Sequence, residues 1–215
     1  MVVVDSGTEV AKISTVWTLA RHSAHVTIGL PGNPSPAATA PEAEERPISL
    51  RYFYDCEFIE DGVTIDLVSI GVACEDGREY YAVSTEFDAG RAGPWVRKFV
   101  LPQLPSPSSP LWRSRTQIRD ELYAFLVPRP TVQPELWAWV SAYDHVALCQ
   151  LWGSMVDLPN ALPRYTNELR QHWEAHGRPE LPPIPPDAHD ALADARHNLA
   201  KFEAIEAARR ATPRL

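Results

Sequence analysis

Apolar residues concentrate in three short stretches that begin near residue 51, with polar turns between them, and they predict three β-strands. These strands are expected over residues 51–58, 65–74 and 78–84, where β-branched and aromatic side chains are frequent. The turns at residues 60–62 and 75–77 each contain Asp-Gly, which is a strong signal for a tight hairpin. Three consecutive strands with short turns indicate an antiparallel meander.

Beyond residue 90 the apolar positions recur at helical spacing. Helices are predicted over residues 92–100, 114–126, 143–152, 165–176 and 189–209, and a fourth strand over 134–140. Ser114 is the expected N-cap of the second helix, with Gln117 at the capping-box position. Proline-rich connectors occupy residues 102–110 and 179–186. This order of elements predicts an α/β fold in which a mixed β-sheet is flanked by helices.

Residues 1–49 differ from the rest of the chain. Residues 31–47 are rich in Pro, Ala and Glu, and such a segment buries too little apolar surface to offset the entropy of ordering. We expect a disordered or loosely attached extension over 1–49 and one folded domain over 50–210. A second hypothesis is that translation starts near Leu50, which the intact mass of the native protein would contradict if residues 1–49 were present.

Net charge, cysteine content and the length of apolar runs limit the partners and the environment that fit this chain. The net charge is −8, which argues against a protein that coats nucleic acid with a basic surface but leaves room for an enzyme that grips only a strand end. Cys56, Cys74 and Cys149 lack metal-binding spacing and predict reduced, buried thiols in a cytoplasmic protein. No run approaches the roughly 18 apolar residues of a membrane span, and we expect no membrane partner.

Two carboxylates in the first predicted strand are the first candidate for chemistry. Because side chains alternate along a strand, Asp55 and Glu57 project to the same face and Cys56 to the other. Two such acids repel each other unless a cation lies between them, and Mg²⁺ and Mn²⁺ both prefer carboxylate oxygens. A solvated strand end is the structural alternative for this pair.

Two further motifs carry acids of the same kind. Asp144 follows the strand over 134–140, at the sheet edge where ligands bind in open α/β folds, although an Asp there also suits a helix start. Asp194 lies inside the last predicted helix, where Asp has poor propensity. On a regular helix His189 would point about 140° away from Asp194, so we place it in the preceding loop or the frayed first turn. We interpret Asp190 as a helix-dipole residue.

The order Asp55-x-Glu57, Asp144 and His189-x-x-x-x-Asp194 resembles the DEDDh 3′-5′ exonuclease family. Residues 51–62 and 136–153 are similar to its mycobacterial-type polyadenylate-specific 3′-exoribonucleases, and the resemblance covers about residues 50–209. It implies an RNase H-like fold and two catalytic divalent ions, Mg²⁺ or Mn²⁺, held by the four acids. We expect Asp55 to bridge the ions, Glu57 and Asp194 to complete one, and Asp144 to hold the other.

The same resemblance implies how the substrate is used. It implies a homodimer that releases nucleoside 5′-monophosphates from the free 3′ end of single-stranded RNA, with a preference for adenylate. His189 is expected to be the general base. Phe58 would point away from Glu57 on a regular strand, but the family implies that it contacts the terminal nucleotide.

Several alternatives remain open at this point. The four acids do not distinguish ribose from deoxyribose, so a DNA proofreading or repair exonuclease fits them equally, as does a binding module that kept the fold and lost turnover. Trp139 and Val140 stand where many DEDDh enzymes carry His-Asn, which removes the usual Asn contact to substrate. Trp137 and Trp139 are predicted to pack in the core, with base stacking as the alternative, and Tyr143 is assigned to the core.

Overall fold

The computed structural model of the chain describes residues 47–211, so nearly all of the predicted extension over 1–49 lies outside the described residues. A six-stranded sheet in the order β4-β3-β2-β1-β5-β6 forms the centre of the described part. The strands are β1 (Ile48–Glu60), β2 (Ile65–Cys74), β3 (Glu79–Ser84), β4 (Trp112–Arg113), β5 (Val132–Ala138) and β6 (Asn167–Glu168).

The sheet is mixed, as expected. β1, β2 and β3 form the predicted antiparallel meander, whereas β5 runs parallel to β1, and the two-residue strands β4 and β6 add parallel edges. β5 ends before the predicted strand does, because Val140 has φ +57°, which a strand does not allow. β4 and β6 were not predicted, since two residues are too few to show alternation.

Helices cover both faces of the sheet. They are α1 (Pro94–Phe99), α2 (Arg115–Leu126), α3 (Ala142–Cys149), α4 (Leu169–Ala175) and α5 (Ala191–Ala211). The predicted capping box at the start of α2 is confirmed, with both reciprocal hydrogen bonds between Ser114 and Gln117. The helix predicted over 165–176 is wrong in its first turn, because Asn167 and Glu168 pair with β5 as β6.

The core forms on both sides of β1. Tyr52, Tyr54 and Cys56 face a large buried cluster with α2 and α3. Phe53 lies on the opposite face of β1 and packs with residues of α4 and α5. Ile59 belongs to a smaller buried cluster that includes Ala92 and Val100, which flank α1. Asp55 and Glu57 share this second face. The architecture confirms the expected α/β class with a mixed sheet flanked by helices, which agrees with an RNase H-like arrangement.

Two composition-based expectations bear on the described residues. All three cysteines are buried and unpaired, as their spacing indicated. Within residues 47–211, no helix has the length and apolar character needed to span a bilayer.

Candidate active site

A cleft of about 620 Å³ opens beside β1, just beyond the carboxyl end of β5. The six residues assigned to the site from sequence all line it: Asp55, Glu57, Phe58, Asp144, His189 and Asp194. They come from β1, α3, α5 and the loop that leads into α5, and the three motifs are separated by many residues along the chain. The fold therefore gathers the three motifs at one place.

A glycine in β2 allows α5 to cross the sheet directly above the acids. Gly71 pairs with Asp55 across the β1–β2 ladder. A Cβ atom at Gly71 would lie 2.3 Å from the backbone of Ala191 and Leu192, so only glycine admits the first turn of α5 at this height. This close approach carries Asp194 over the face of β1 that holds Asp55 and Glu57.

The β1–β2 ladder carries an irregularity where β1 passes the cleft. The register shifts between Glu57 and Phe58, with Val68 of β2 as the additional residue. Such a bulge bends the strand that carries the additional residue, here β2, and increases the local twist. Phe58 keeps the alternation of β1, since it packs against the buried cluster of Tyr52, Tyr54 and Cys56, and it also lines the cleft.

Asp144 is tied to β1 by a hydrogen bond. It lies in the first turn of α3, almost fully buried, and its Oδ1 accepts from the backbone N–H of Cys56 at 2.8 Å. This hydrogen bond fixes the Asp144 carboxylate beside Cys56, the residue that separates Asp55 from Glu57 on β1. Its other oxygen, Oδ2, is a potential ligand atom.

The turn that leads into α3 has a strained backbone, which hydrogen bonds to the Glu168 carboxylate hold in place. Val140 adopts φ +57°, a conformation that a β-branched residue rarely accepts. The Glu168 carboxylate accepts hydrogen bonds of 2.8 Å from the backbone N–H groups of both Val140 and Ser141. Val140 is 54% exposed and lines the cleft, so an apolar side chain forms part of its wall.

His189 lies immediately before α5 rather than on it, as its spacing from Asp194 predicted. Its backbone has φ +74°, and its N–H donates to Asp194 Oδ2 at 2.8 Å. Asp190 Oδ1 accepts from the N–H groups of Leu192 and Ala193, which agrees with a helix-start role for Asp190. Ligand atoms of Glu57, His189 and Asp194 all lie within 4.8 Å of one another.

The electrostatics of the cleft favour a cation. Burial, reinforced by Asp194 and Asp144, raises the pKa of Glu57 to about 8. Burial raises the pKa of Asp144 to about 7 despite the hydrogen bond from Cys56. Burial and the neighbouring acids also raise the pKa of Asp55 well above its usual range, and Lys201 acts in the opposite direction. Several carboxylate oxygens with uncompensated charge fit a hard divalent ion such as Mg²⁺ or Mn²⁺.

Two aromatic side chains of the cleft were missed or misassigned from sequence. Tyr143 was expected in the core, but it is 50% exposed and packs edge-to-face on Phe58 with ring centroids 5.8 Å apart. That expectation was wrong because α3 turns Asp144 inward and its neighbour outward. Trp95 in α1 is 51% exposed and lies beside His189, and no motif in the sequence signalled it.

The two tryptophans near the end of β5 have different surroundings. Trp137 packs between Phe53 and Phe202, with ring centroids 6.4 and 4.9 Å away, so the packing interpretation is right for it. Trp139 contacts Trp173, has the Lys201 ammonium 4.5 Å from its ring centroid, and also lines the cleft.

Comparisons with known proteins relate the chain to one group of exoribonucleases. The family model described as the 3′-5′ exoribonuclease Rv2179c-like domain matches residues 50–206. The chain is 66% identical over 156 residues to 3′-5′ exoribonuclease Rv2179c of Mycobacterium tuberculosis (strain ATCC 25618 / H37Rv), which covers 73% of this chain and 93% of the relative. The 3′-5′ exoribonuclease MT2234.1 of Mycobacterium tuberculosis (strain CDC 1551 / Oshkosh) is similar to the same extent.

Proposed function

The chain belongs to the Rv2179c-like 3′-5′ exoribonuclease family, and from this premise we propose that it hydrolyses single-stranded RNA from a free 3′ end with the help of two divalent metal ions. The observation that carries the proposal is the convergence of four acids and one histidine, from three separate elements, in a single cleft. The reaction class is hydrolysis of a phosphodiester bond.

The four acids would hold the ions. Asp55 is proposed as the shared ligand, with Glu57 and Asp194 completing one ion and Asp144 the second. The proximity of Glu57 to Asp194 supports their sharing an ion. Two such ions, when bound, stabilise charge on the attacking and leaving oxygens.

His189 would act on the attacking water. An unprotonated ring nitrogen of His189 would accept the proton of that water. The water oxygen bonds to phosphorus, the bond from phosphorus to the 3′ oxygen of the preceding nucleotide breaks, and that oxygen takes up a proton. The products are a nucleoside 5′-monophosphate and an RNA shortened by one residue with a new 3′ hydroxyl.

The cleft holds the terminal nucleotide through its base. No Lys or Arg is among the lining residues in the described part of the chain, and the Lys201 ammonium lies 4.5 Å from the ring centroid of Trp139, which lines the cleft. The walls offer the aromatic rings of Phe58 and Tyr143, and base stacking on such rings stabilises single-stranded RNA. Phe58 is the proposed contact to the last nucleotide. We propose adenylate-rich 3′ ends as substrate, because the family resemblance implies this preference.

Two accompanying proposals concern the protein in the cell. The family resemblance implies a homodimer, which sedimentation velocity would test. Three buried, unpaired thiols suit the reducing cytoplasm, which fractionation of the native host would test.

Digestion of 5′-labelled homopolymers of each base, as RNA and as DNA, tests the function. With Mg²⁺ or Mn²⁺ we expect a ladder that shortens from the 3′ end, release of 5′-AMP seen by mass spectrometry, and no reaction in EDTA or with a 3′-phosphate block. Equal digestion of deoxyadenylate would favour the DNA exonuclease. Metal-dependent binding without any cleavage by a folded protein would overturn the proposal in favour of a binding module.

A further inference from the structure

Two aromatic rings of α1 pack against the imidazole of His189. The Trp95 and His189 ring centroids are 4.7 Å apart at 79°, and the Phe99 and His189 centroids are 5.9 Å apart. Trp95 and Phe99 are four residues apart on α1, so they share a helix face, and their own centroids are 5.5 Å apart. The two rings, called here the α1 clamp, therefore form one surface against His189.

The His189 ring needs such a support because its other restraints act on the backbone. The His189 N–H donates to Asp194, and Gln103 Nε2 donates to the carbonyl of Ala188 at 3.4 Å. Among residues 47–211, no group is hydrogen-bonded to a ring nitrogen of His189. A carboxylate or carbonyl partner usually orients a catalytic imidazole, and here packing takes that place.

The backbone of His189 strengthens the argument. A non-glycine residue at φ +74° costs free energy and persists only where the surroundings over-determine it. The α1 clamp and the hydrogen bonds of Asp194 and Gln103 together provide that constraint. They hold one ring nitrogen of His189 within 4.8 Å of carboxylate oxygens of Glu57 and Asp194, where the attacking water would lie.

We propose that Trp95, supported by Phe99, is a positioning residue that orients the His189 imidazole for proton transfer. This inference rests on the proposed function. Trp95 lies on an element that carries none of the four acids, and its ring contacts the His189 ring, so we assign its contribution to the rate to His189. The competing role for Trp95 is a direct stacking contact with the terminal base, and the two roles affect different kinetic quantities.

Single-turnover kinetics with oligoadenylate and Mn²⁺ separate these roles. Trp95→Leu should lower the rate constant at saturating enzyme by roughly tenfold, the upper range for one aromatic contact, while half-saturation changes less than about twofold. Trp95→Phe should recover most of the rate. Tyr165→Leu, at an exposed aromatic residue outside the cleft, is the matched control and should leave both quantities unchanged.

A double-mutant cycle then tests whether Trp95 acts through His189. In the His189→Ala background, Trp95→Leu should cause no further loss of rate, because the group that it positions is gone. A full additional loss in that background, or a rise in half-saturation that depends on the base, would overturn the proposal and assign Trp95 to direct substrate contact.

An NMR measurement on the metal-free protein keeps the inference separate from the proposed function. The ring protons of His189, assigned with His189→Gln, should show ring-current shifts that collapse towards free-histidine values in Trp95→Leu and persist in Tyr165→Leu. Unchanged His189 shifts in folded Trp95→Leu would overturn the clamp even in an active enzyme. Shifts that collapse as expected in a protein without nuclease activity would retain the clamp and reject the function.

Discussion

The backbone N–H of His189 donates a 2.8 Å hydrogen bond to Oδ2 of Asp194. A carboxylate of the candidate metal site therefore also fixes the loop that carries the candidate base. The charge of Asp194 and its hydrogen bond to the loop can be tested separately, because the side-chain amide oxygen of Asn can accept the same hydrogen bond without carrying a charge.

Asp194→Asn and Asp194→Ala should both lose activity by roughly a hundredfold or more, since each removes a metal-ligand charge. Their metal-free stabilities should differ. Asp194→Asn keeps the acceptor for the His189 N–H, so its free energy of unfolding in EDTA should be at least that of the wild type. Asp194→Ala lacks this acceptor and should be about 1 kcal/mol less stable than Asp194→Asn. Chemical denaturation in EDTA measures this, and equal stability of the two variants would contradict the role of the hydrogen bond.

The metal-free protein should lose stability as pH rises from about 5 to 8. The pKa values of Glu57 and Asp144 in the fold, about 8 and about 7, lie above the usual values near 4. Between these limits the folded state holds more protons than the unfolded state, so raising the pH favours unfolding. Excess Mg²⁺ or Mn²⁺ should offset much of this loss at pH 8, because the ions replace the missing protons as positive charge.

Thermal melts against pH, with EDTA and with Mn²⁺, check this pH effect. Glu57→Gln is the control, since it removes one titrating group and should flatten the EDTA profile. A melting temperature in EDTA that rises over this pH range would show that the acids are not held as the structure indicates.

Gly71→Ala should displace the first turn of α5. The new methyl group would lie 2.3 Å from the backbone of Ala191 and Leu192, and backbone cannot yield as a flexible side chain does. We expect a loss of about 3 kcal/mol or more in unfolding free energy, at the upper end of overpacking effects, with activity lost even where the variant remains folded. Urea denaturation and the nuclease assay measure the two effects.

Gly93→Ala is the matched control for stability, because a Cβ at Gly93 meets nothing within 4 Å and the backbone there has φ −69°. It should change the unfolding free energy far less than Gly71→Ala. Similar stabilities of these two variants would mean that α5 does not approach β2 so closely.

Val140→Asn should stabilise the protein by about 1 kcal/mol. The left-handed backbone at residue 140 costs more free energy for Val than for Asn. The Val140 side chain is half exposed, so its replacement removes little buried apolar surface. Val146→Asn on α3, also at an exposed valine but with helical backbone, should bring no such gain. Urea denaturation of both variants decides this, and destabilisation by Val140→Asn would indicate that the valine side chain contributes more than its exposure suggests.

Much of the fold follows from local pattern. β2 was predicted to the residue, because a continuous apolar run is bounded by two Asp-Gly turns. The capping box of α2 was predictable from Ser114 and Gln117 alone. β6 was missed because its two residues become a strand only through pairing with β5, and the end of β5 was missed because Glu168, 28 residues away, holds Val140 in a left-handed conformation.

The candidate site divides in the same way. The residue order along the chain determined which acids and which histidine to consider, because alternation in a strand and the spacing before a helix are local properties. Tertiary structure alone decided that α5 descends onto Gly71 and that Trp95 reaches His189. Such contacts join segments about a hundred residues apart, and they depend on how several elements pack at once, which no short stretch of sequence encodes.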